Sequence, residues 1–388
     1  MERKIHKKKI CFFSGDITRS GGTERVSVQL ANELAKEKEY EICFLSLVEQ
    51  ADKPFYEITN DIKRYSLGTH WINPGPGYLP LIGKLKRFLK AQEIDIIIDI
   101  DIVLDVLSIP AAKRLKTKVI SWEHFNCEFE QSVLYRKWIS RLSAKKADYI
   151  VTLTEQDKQS YGKLLKRTSD IETVYNPFSQ VELNENIRRE NWIVTVGRLT
   201  YQKGTDYLAE VAKEVLKQNK DWKWIVLGDG EERKKLETIT KENDLEKQLF
   251  LKGRVENVEW YLNRAKLFVL TSRYEGLPLC LIEAMQMNVP CVSFDVKTGP
   301  SDIIENNVNG ILISSFEIEK MIKEINALLK NKCRLQSMSK NTRDNFERFE
   351  MENIIKKWKN IFERLEKYGL VPIVDYQVKN NFNNSWSR

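Results

Sequence analysis

Two carboxylates, Glu275 and Glu283, lie eight positions apart around the expected start of a helix. Gly276 permits a close backbone approach, and Pro278 suits a first helical turn, because its missing N–H costs nothing there. The apolar run that begins at Leu279 predicts a mostly buried helix, whose free N–H groups favour an anion such as a diphosphate. The two acids could then face different parts of one elongated anionic ligand. The alternative is that Glu275 caps the helix and Glu283 is an ordinary surface acid.

Two cations, Arg198 and Lys203, follow the predicted strand Trp192–Val196 and precede the next predicted helix. Cations at the carboxyl end of a strand can hold a leaving diphosphate and stabilise the charge that develops on it. A solvated pair of loop cations is the alternative. The Gly228-Asp229-Gly230 turn does not predict a dinucleotide site, because no complete G-x-G-x-x-G is present.

The segment SRYEGLPLCLIEAMQMNVPCVSFD resembles the donor-site signature of retaining family-4 glycosyltransferases, which have the GT-B fold and carry a Glu-x7-Glu motif. Three more segments match this family in the same order. Ser20–Arg25 is similar to its Gly-Gly loop, and Val196–Gly204 is similar to its Arg/Lys diphosphate clamp. Trp122-Glu123-His124 lies where such enzymes often place a histidine near the reacting sugar. The resemblance covers nearly the full length.

The resemblance implies roles for particular residues. Arg198 and Lys203 would clamp the diphosphate, Glu275 would contact the donor sugar without acting as a nucleophile, and His124 would donate a hydrogen bond to the transferring sugar. Glu283 would accept hydrogen bonds from the ribose. The remaining substrate-binding residues would act mainly through their backbone: Gly21, Gly22, Val255, Gly276, Leu277, Pro278 and Leu279.

Alternatives remain for several of these positions. Gly21 and Gly22 could form a plain tight turn, and His124 could be a buried structural histidine. Val255 follows the end of a strand. It could line the pocket for the nucleotide base, or it could lie in a loop without a binding role. Thr23 stands where the family usually has a small residue, which puts the acceptor side in doubt.

The expected fold is α/β, with two Rossmann-like doubly wound domains that face a central cleft, because strands and helices alternate in both halves of the 388 residues. We predict an N-terminal domain over 1–178, a nucleotide-sugar domain over 179–350 and a polar tail over 371–388. The amphipathic segment 351–370 should form a helix that crosses back onto the first domain, as the resemblance implies.

A net charge of +8 calls for an anionic partner or a solvated basic surface. No nucleic-acid motif is present, so nucleic acid is not expected. Two basic segments, Leu81–Lys90 and Val133–Lys146, combine cations with apolar residues at helical spacing, which suits an anionic membrane surface. The alternative is that both apolar stripes face the domain core.

No apolar run is long enough to span a bilayer, and the N-terminus is not a convincing signal peptide, so we expect a cytoplasmic protein at the inner membrane face. The six cysteines are scattered, with no Cys-x-x-Cys pair, and the three histidines are far apart. Neither a disulfide framework nor a metal or other cofactor is expected.

These features predict a retaining hexosyltransferase that moves a hexose or N-acetylhexosamine from a UDP-sugar to a lipid-linked saccharide in bacterial surface-glycan synthesis. Three alternatives stay open: a GDP-mannose-dependent mannosyltransferase, a non-catalytic GT-B scaffold partner and a nucleotide-sugar epimerase. The four side chains Arg198, Lys203, Glu275 and Glu283 argue against a scaffold. The shortage of further acid or base residues argues against an epimerase.

Overall fold

The computed structural model describes residues 7–68, 77–127, 133–178 and 187–367. The segment Thr69–Pro80 is rich in glycine and proline, which predicts a loop, and the polar segment 179–190 is predicted to link the two domains. Most of both segments, and the predicted tail, lie outside the described residues. Where the loop is described, it needs correction, because a helix already begins at Tyr78.

The first sheet contains seven parallel strands within the described residues, in the order β3-β2-β1-β4-β5-β6-β7. Its strands are β1 (Lys8–Ser14), β2 (Tyr40–Val48), β3 (Lys63–Gly68), β4 (Ile96–Ile100), β5 (Lys118–Trp122), β6 (Tyr149–Thr152) and β7 (Ile171–Thr173). Its helices are α1 (Gly22–Ala35), α2 (Tyr78–Ala91), α3 (Asp105–Ala112), α4 (Leu134–Lys146) and α5 (Glu155–Leu165). The strand order reverses between β1 and β4, and ligands of doubly wound sheets bind at the carboxyl ends of such a pair.

The second sheet contains six parallel strands in the described part of the chain, in the order β10-β9-β8-β11-β12-β13. They are β8 (Trp192–Val196), β9 (Lys223–Leu227), β10 (Leu249–Gly253), β11 (Leu267–Leu270), β12 (Cys291–Asp295) and β13 (Gly310–Ser314). The helices are α6 (Thr205–Gln218), α7 (Arg233–Glu242), α8 (Val258–Leu262), α9 (Leu279–Gln286), α10 (Pro300–Ile303), α11 (Ile318–Lys330) and α12 (Lys332–Lys340). The order reverses between β8 and β11, so the segments after these two strands meet. The predicted pair of doubly wound domains is confirmed.

The last helix of the described residues, α13 (Met351–Lys367), crosses back onto the first domain as predicted. Trp358 is fully buried, with its ring centroid 5.0 Å from that of Trp122 in β5. Phe362 packs edge-on against Tyr40 of β2 at 5.5 Å. Helix α13 therefore completes the apolar core of a domain that begins more than three hundred residues earlier.

The two basic segments differ in whether their large apolar residues are buried or exposed. In α2, Leu81, Leu85 and Leu89 are buried in the domain core, so the prediction of a membrane-facing stripe is wrong for that helix. In α4, Leu134 is 88% exposed and Trp138 is 60% exposed. The buried face of α4 is instead made by Ile139 and by small residues, namely Ser140, Ser143 and Ala144. No helix in the described residues is long and apolar enough to cross a bilayer.

Candidate functional site

Glu275 is held in a fixed position in the loop between β11 and α9. Its side chain is buried, and its Oε1 atom lies 2.6 Å from the Nζ atom of Lys203 and 2.6 Å from the Oγ atom of Ser272. Its carbonyl oxygen accepts hydrogen bonds from Thr298 Oγ1 at 2.5 Å and from Asn126 Nδ2 at 3.2 Å. Both the carboxylate and the backbone of Glu275 are therefore oriented before any ligand arrives.

The loop that carries Lys203 is fastened to the loop that carries Glu275. Thr271 Oγ1 donates to the carbonyl oxygens of Lys203 and Gly204. Gly204 has a φ of 63°, and a Cβ atom there would lie 2.1 Å from the Thr271 carbonyl oxygen, so only glycine allows this close approach. The two loops meet because they follow β8 and β11, the strands at which the sheet order reverses.

A second contact between these loops comes from Arg273. Its guanidinium forms two hydrogen bonds with the Asp206 carboxylate, at 2.8 and 2.6 Å. It also lies 3.9 Å from the ring centroid of Tyr201 and 4.1 Å from that of Tyr207. Paired hydrogen bonds and two stacked rings fix the position of a planar guanidinium more firmly than a single contact does.

Lys203 remains a cation although it is largely shielded from water. Burial is the largest single influence and lowers its pKa, but the charge of Glu275, the neighbouring Cys280 and the hydrogen bond to Glu275 together raise it, so that the pKa lies above its ordinary value. Arg198 adds a second positive charge nearby and acts against this rise. The structure thus brings together the two cations predicted to clamp a diphosphate.

Arg198 is exposed and lines a cavity of about 390 Å³ beside this pair. The cavity is also lined by Thr200, Asp229, Gly230, Glu231 and Arg254. A Cβ atom at Gly228 would lie 1.8 Å from the carbonyl oxygen of Gly197, so this glycine lets the two strand ends approach each other. The Gly228-Asp229-Gly230 segment was predicted to be a turn, but Gly228 forms an isolated β-bridge with Gly253, and Asp229 and Gly230 line the cavity together with Arg198. Val255 follows Arg254 and is half-buried against the core.

His124 faces the donor loop from the first domain. A Cβ atom at Gly276 would lie 2.5 Å from the His124 carbonyl oxygen, so the two backbones come close across the cleft. The imidazole is 8% exposed and lies 4.4 Å from the Trp122 ring. Its Nε2 atom is buried without a hydrogen-bond partner in the described residues. Burial lowers the pKa of His124 to about 3, which keeps it neutral near pH 7.

Glu283 lies in the second turn of α9 and contacts the first domain. Its Oε1 atom is 2.6 Å from the Nη1 atom of Arg25 in α1. The starts of the two helices also face each other, since a Cβ atom at Gly22 would lie 3.9 Å from Leu279 Cδ1. Gly21 caps α1, and a Cβ atom there would lie 2.1 Å from the Glu24 carboxylate.

The start of α9 differs from the prediction in one detail. Pro278 is the N-cap residue, with a ψ of 98°, and does not lie in the first helical turn. Leu277 is buried, and Gly299 in the next loop packs on this segment, because a Cβ atom at Gly299 would lie 2.3 Å from the Gly276 carbonyl oxygen.

Sequence reasoning missed the residues that hold the site in place: Arg25, Asn126, Ser272, Arg273 and Thr298. Arg25 lies in the segment Ser20–Arg25, and Ser272 and Arg273 lie in the donor-site segment, but none of the three was assigned a role; Asn126 and Thr298 lie outside the segments singled out. Their partners lie in other parts of the chain.

Two family models match the chain. Residues 20–179 match Glycosyltransferase Family 4, and residues 181–345 match Glycosyl transferases group 1. An uncharacterised glycosyltransferase from Haemophilus influenzae is 34% identical over 91% of this chain and 99% of its own length. A Campylobacter jejuni enzyme, named GalNAc-alpha-(1->4)-GalNAc-alpha-(1->3)-diNAcBac-PP-undecaprenol alpha-1,4-N-acetyl-D-galactosaminyltransferase, is 29% identical over 90% of this chain and 97% of its own.

Solved structures agree on the fold. A point mutant of TarM from S. aureus, crystallised with fondaparinux, alpha-GlcNAc-glycerol and UDP, has a TM-score of 0.75 and 20% identity, over 92% of this chain and 99% of that one. Relatives of the chain include enzymes of amylovoran and lipopolysaccharide synthesis. With these matches and with its paired doubly wound sheets, the chain belongs to the family-4 glycosyltransferases of the GT-B fold, the hexosyltransferases found in bacterial surface-polysaccharide synthesis.

Proposed function

We propose that this enzyme is a retaining transferase that moves a hexose or N-acetylhexosamine from a UDP-sugar to a lipid-linked saccharide. The observation that carries the proposal is the Lys203–Glu275 pair beside Arg198, at the carboxyl ends of β8 and β11 and across the cleft from His124. The UDP in the TarM complex and the PP-undecaprenol substrate in the name of the Campylobacter relative support the choice of donor and acceptor.

The two cations hold the diphosphate in this proposal. An ammonium group has three N–H donors, and Lys203 uses one of them on Glu275, so two remain for phosphate oxygens. Arg198 lines the adjoining cavity and adds its guanidinium fork. As the bond between the sugar C1 and the phosphate oxygen breaks, negative charge grows on the diphosphate, and these cations stabilise it.

Glu275 and His124 hold the donor sugar from its two sides. Glu275 is already bonded to Lys203 and Ser272, which suits a hydrogen-bond acceptor for sugar hydroxyls better than a free nucleophile. The neutral His124 has an unused buried Nε2 atom, and buried polar atoms are normally hydrogen-bonded, so a sugar hydroxyl is a fitting partner. The acceptor hydroxyl attacks C1 on the face that UDP leaves, and its proton passes to the departing phosphate oxygen. We expect no metal or other cofactor in this step.

Transfer assays with labelled nucleotide sugars test the proposal. The wild-type enzyme should move label from a UDP-sugar, but not from GDP-mannose, onto undecaprenyl-diphosphate-linked saccharides. Both Glu275→Gln and Lys203→Ala should lower kcat by about 100-fold or more, since each removes a contact to the reacting donor. Lys213→Ala is a matched control on the exposed side of α6, where Lys213 pairs with Glu214 at 3.4 Å. Transfer from GDP-mannose instead, or full activity in both variants, would contradict the proposal.

The enzyme also rests on anionic lipid in this proposal, through the exposed apolar face of α4. Leu134, Tyr135 and Trp138 are 88%, 54% and 60% exposed, which is unusual for large apolar side chains. Arg141, Lys145 and Lys146 continue the same helix, and a cation near an anionic surface contributes about 1 kcal/mol. We therefore propose that the enzyme works at the inner face of the cell membrane, where it would meet a lipid-linked acceptor.

Sedimentation with lipid vesicles tests the membrane surface. Trp138→Ser should weaken binding to phosphatidylglycerol vesicles about tenfold, because an indole no longer enters the interface. Trp260→Ser is the matched control, since Trp260 is an exposed tryptophan of the second domain, at 44%. Equal losses in the two variants, or equal binding to phosphatidylcholine vesicles, would contradict a role for α4.

A further inference from the structure

Arg25 and Glu283 form an ion pair that joins the two domains across the cleft. Arg25 belongs to the first turn of α1 and Glu283 to α9, and their Nη1 and Oε1 atoms are 2.6 Å apart. The two residues are 258 positions apart in the chain. Their side chains are only 34% and 22% exposed, so water screens this pair less than it screens an open surface pair.

Several neighbouring groups affect the pKa of the Glu283 carboxylate, and Arg25 is one of them. Burial raises the pKa of Glu283, and Arg25 acts against this rise. Glu259 of α8 adds a negative charge, which raises the pKa further. Cys280 on the same helix and Tyr56 from the first domain also lie within electrostatic reach. Arg25 thus supplies positive charge that favours the ionised form of this partly buried carboxylate.

The ion pair leaves room for a ligand on the same carboxylate. An ionised carboxylate has about four lone-pair acceptor sites, and Arg25 occupies one of them at Oε1. The remaining sites suit two neighbouring hydroxyl donors, such as those of a ribose. Glu283 can therefore bind Arg25 and a nucleotide at the same time.

We infer that Arg25 is a positioning residue for the nucleotide sugar, which acts through Glu283 and ties donor binding in the second domain to α1 of the first. The inference rests on the proposed function and on the ribose-binding role that the family resemblance implies for Glu283. Arg25 itself does not touch the donor. Loss of Arg25 should therefore weaken ground-state binding of the donor and leave the chemical step nearly unchanged.

Titration calorimetry with UDP, together with steady-state kinetics, tests the inference. Arg25→Gln should raise the Kd for UDP and the KM for the UDP-sugar about tenfold, with kcat changed less than twofold. The deficit should grow as the pH falls, because without the Arg25 cation the Glu283 carboxylate takes up a proton at a higher pH than it does in the wild type. Arg25→Lys should recover part of the affinity. In a Glu283→Gln background, Arg25→Gln should add less than a twofold loss.

A matched control and a second neutral variant complete the experiment. Lys36→Gln removes a cation at the other end of α1, where Lys36 pairs with Glu33 of its own helix, and it should leave UDP binding unchanged. Should Arg25→Gln fail to fold, Arg25→Met keeps the apolar stem and is interpreted in the same way.

The outcomes separate the inference from the proposed function. A wild-type protein that binds no UDP contradicts the proposed function. If wild type binds UDP and Glu283→Gln weakens that binding, unchanged affinity in the neutral Arg25 variants overturns the inference alone. Tighter UDP binding in those variants also overturns it, because Arg25 would then compete with the ribose.

Discussion

At the scale of single residues, Glu275 shows how the site is prepared for its ligand. Lys203 and Ser272 hold its carboxylate, while Asn126 and Thr298 hold its carbonyl oxygen. Because contacts come from both domains and from three separate loops, the side chain needs little rearrangement when a sugar binds. Preorganisation of this kind lowers the cost of reaching the transition state.

His124 gives the clearest pH prediction. Its pKa is about 3 in the folded protein, against about 6.5 when unfolded, so the unfolded chain binds a proton first as the pH falls. The folded state should therefore lose about 2 kcal/mol between pH 7.5 and pH 5 on account of this residue alone. Urea unfolding at both pH values measures this difference. His124→Asn should lose about 2 kcal/mol less than wild type, whereas parallel losses would show that His124 is not buried as a neutral ring.

Residue types and local spacing predicted the central acids and cations of the site, but not the residues that hold them. Glu275 and Glu283 share one short segment, and Lys203 and Arg198 share another, so a motif can show each pair. Asn126 reaches Glu275 from 149 positions away, and Arg25 reaches Glu283 from 258. Such contacts depend on how the two domains meet, and no local pattern encodes that.

At the scale of elements, buried strands were predictable and exposed or small ones were not. Strand β4 is a run of buried isoleucines, and its presence follows from the sequence. Strand β3 lies at the sheet edge, where only Leu67 is buried, so it carries no alternating apolar pattern. Helix α4 shows a different limit. Its buried face is made by Ile139, two serines and an alanine, which together give little apolar signal, while Leu134, Tyr135 and Trp138 are exposed.

The carboxyl end of β4 carries a second pH-dependent feature, formed by Asp99 and Asp105. Both are fully buried; Ser108 donates to Asp99, and Ser121 Oγ donates to Asp105 at 2.6 Å. Burial, followed by the charge of Asp105, raises the pKa of Asp99 well above its usual range. The folded protein therefore keeps a proton there that the unfolded chain releases, and stability falls as the pH rises through the folded-state pKa.

Asp99→Asn tests this feature. The amide cannot ionise, so the variant should be more stable than wild type at pH 8.5, by about 1–3 kcal/mol, the cost of an ill-satisfied buried group. At pH 5 the advantage should shrink or vanish. Denaturant unfolding at the two pH values gives the comparison. A constant difference across pH would mean that Asp99 does not titrate in this range.

At the scale of the whole molecule, α13 binds the end of the described chain to the first domain. Besides its buried face, Lys359 pairs with Glu37 and Glu39 at 3.2 Å each, and Lys8 of β1 pairs with Glu366 at 2.7 Å. The crossover was predictable from the amphipathic spacing together with the resemblance. The spacing alone shows only that one face is buried, and not which domain buries it.

Trp358→Ala tests how much this helix contributes. Removal of a fully buried indole should lower the free energy of unfolding by about 3–5 kcal/mol. Because Trp358 packs on Trp122 of β5, the loss should appear in the first domain, which near-ultraviolet circular dichroism and calorimetry can follow. Trp138→Ala, at an exposed position, should change stability by less than about 0.5 kcal/mol. A small effect of Trp358→Ala would show that α13 is only loosely attached.

The path of α13 also bears on how the protein is made. A ribosome releases the first domain long before it synthesises residues 351–367, so the nascent chain presents Tyr40 and Trp122 without the helix that covers them. Domains usually fold as units during translation, the N-terminal one first. Here that unit stays unfinished until residues 351–367 have been translated, and a chain cut short before them would leave the apolar surface around Tyr40 and Trp122 uncovered.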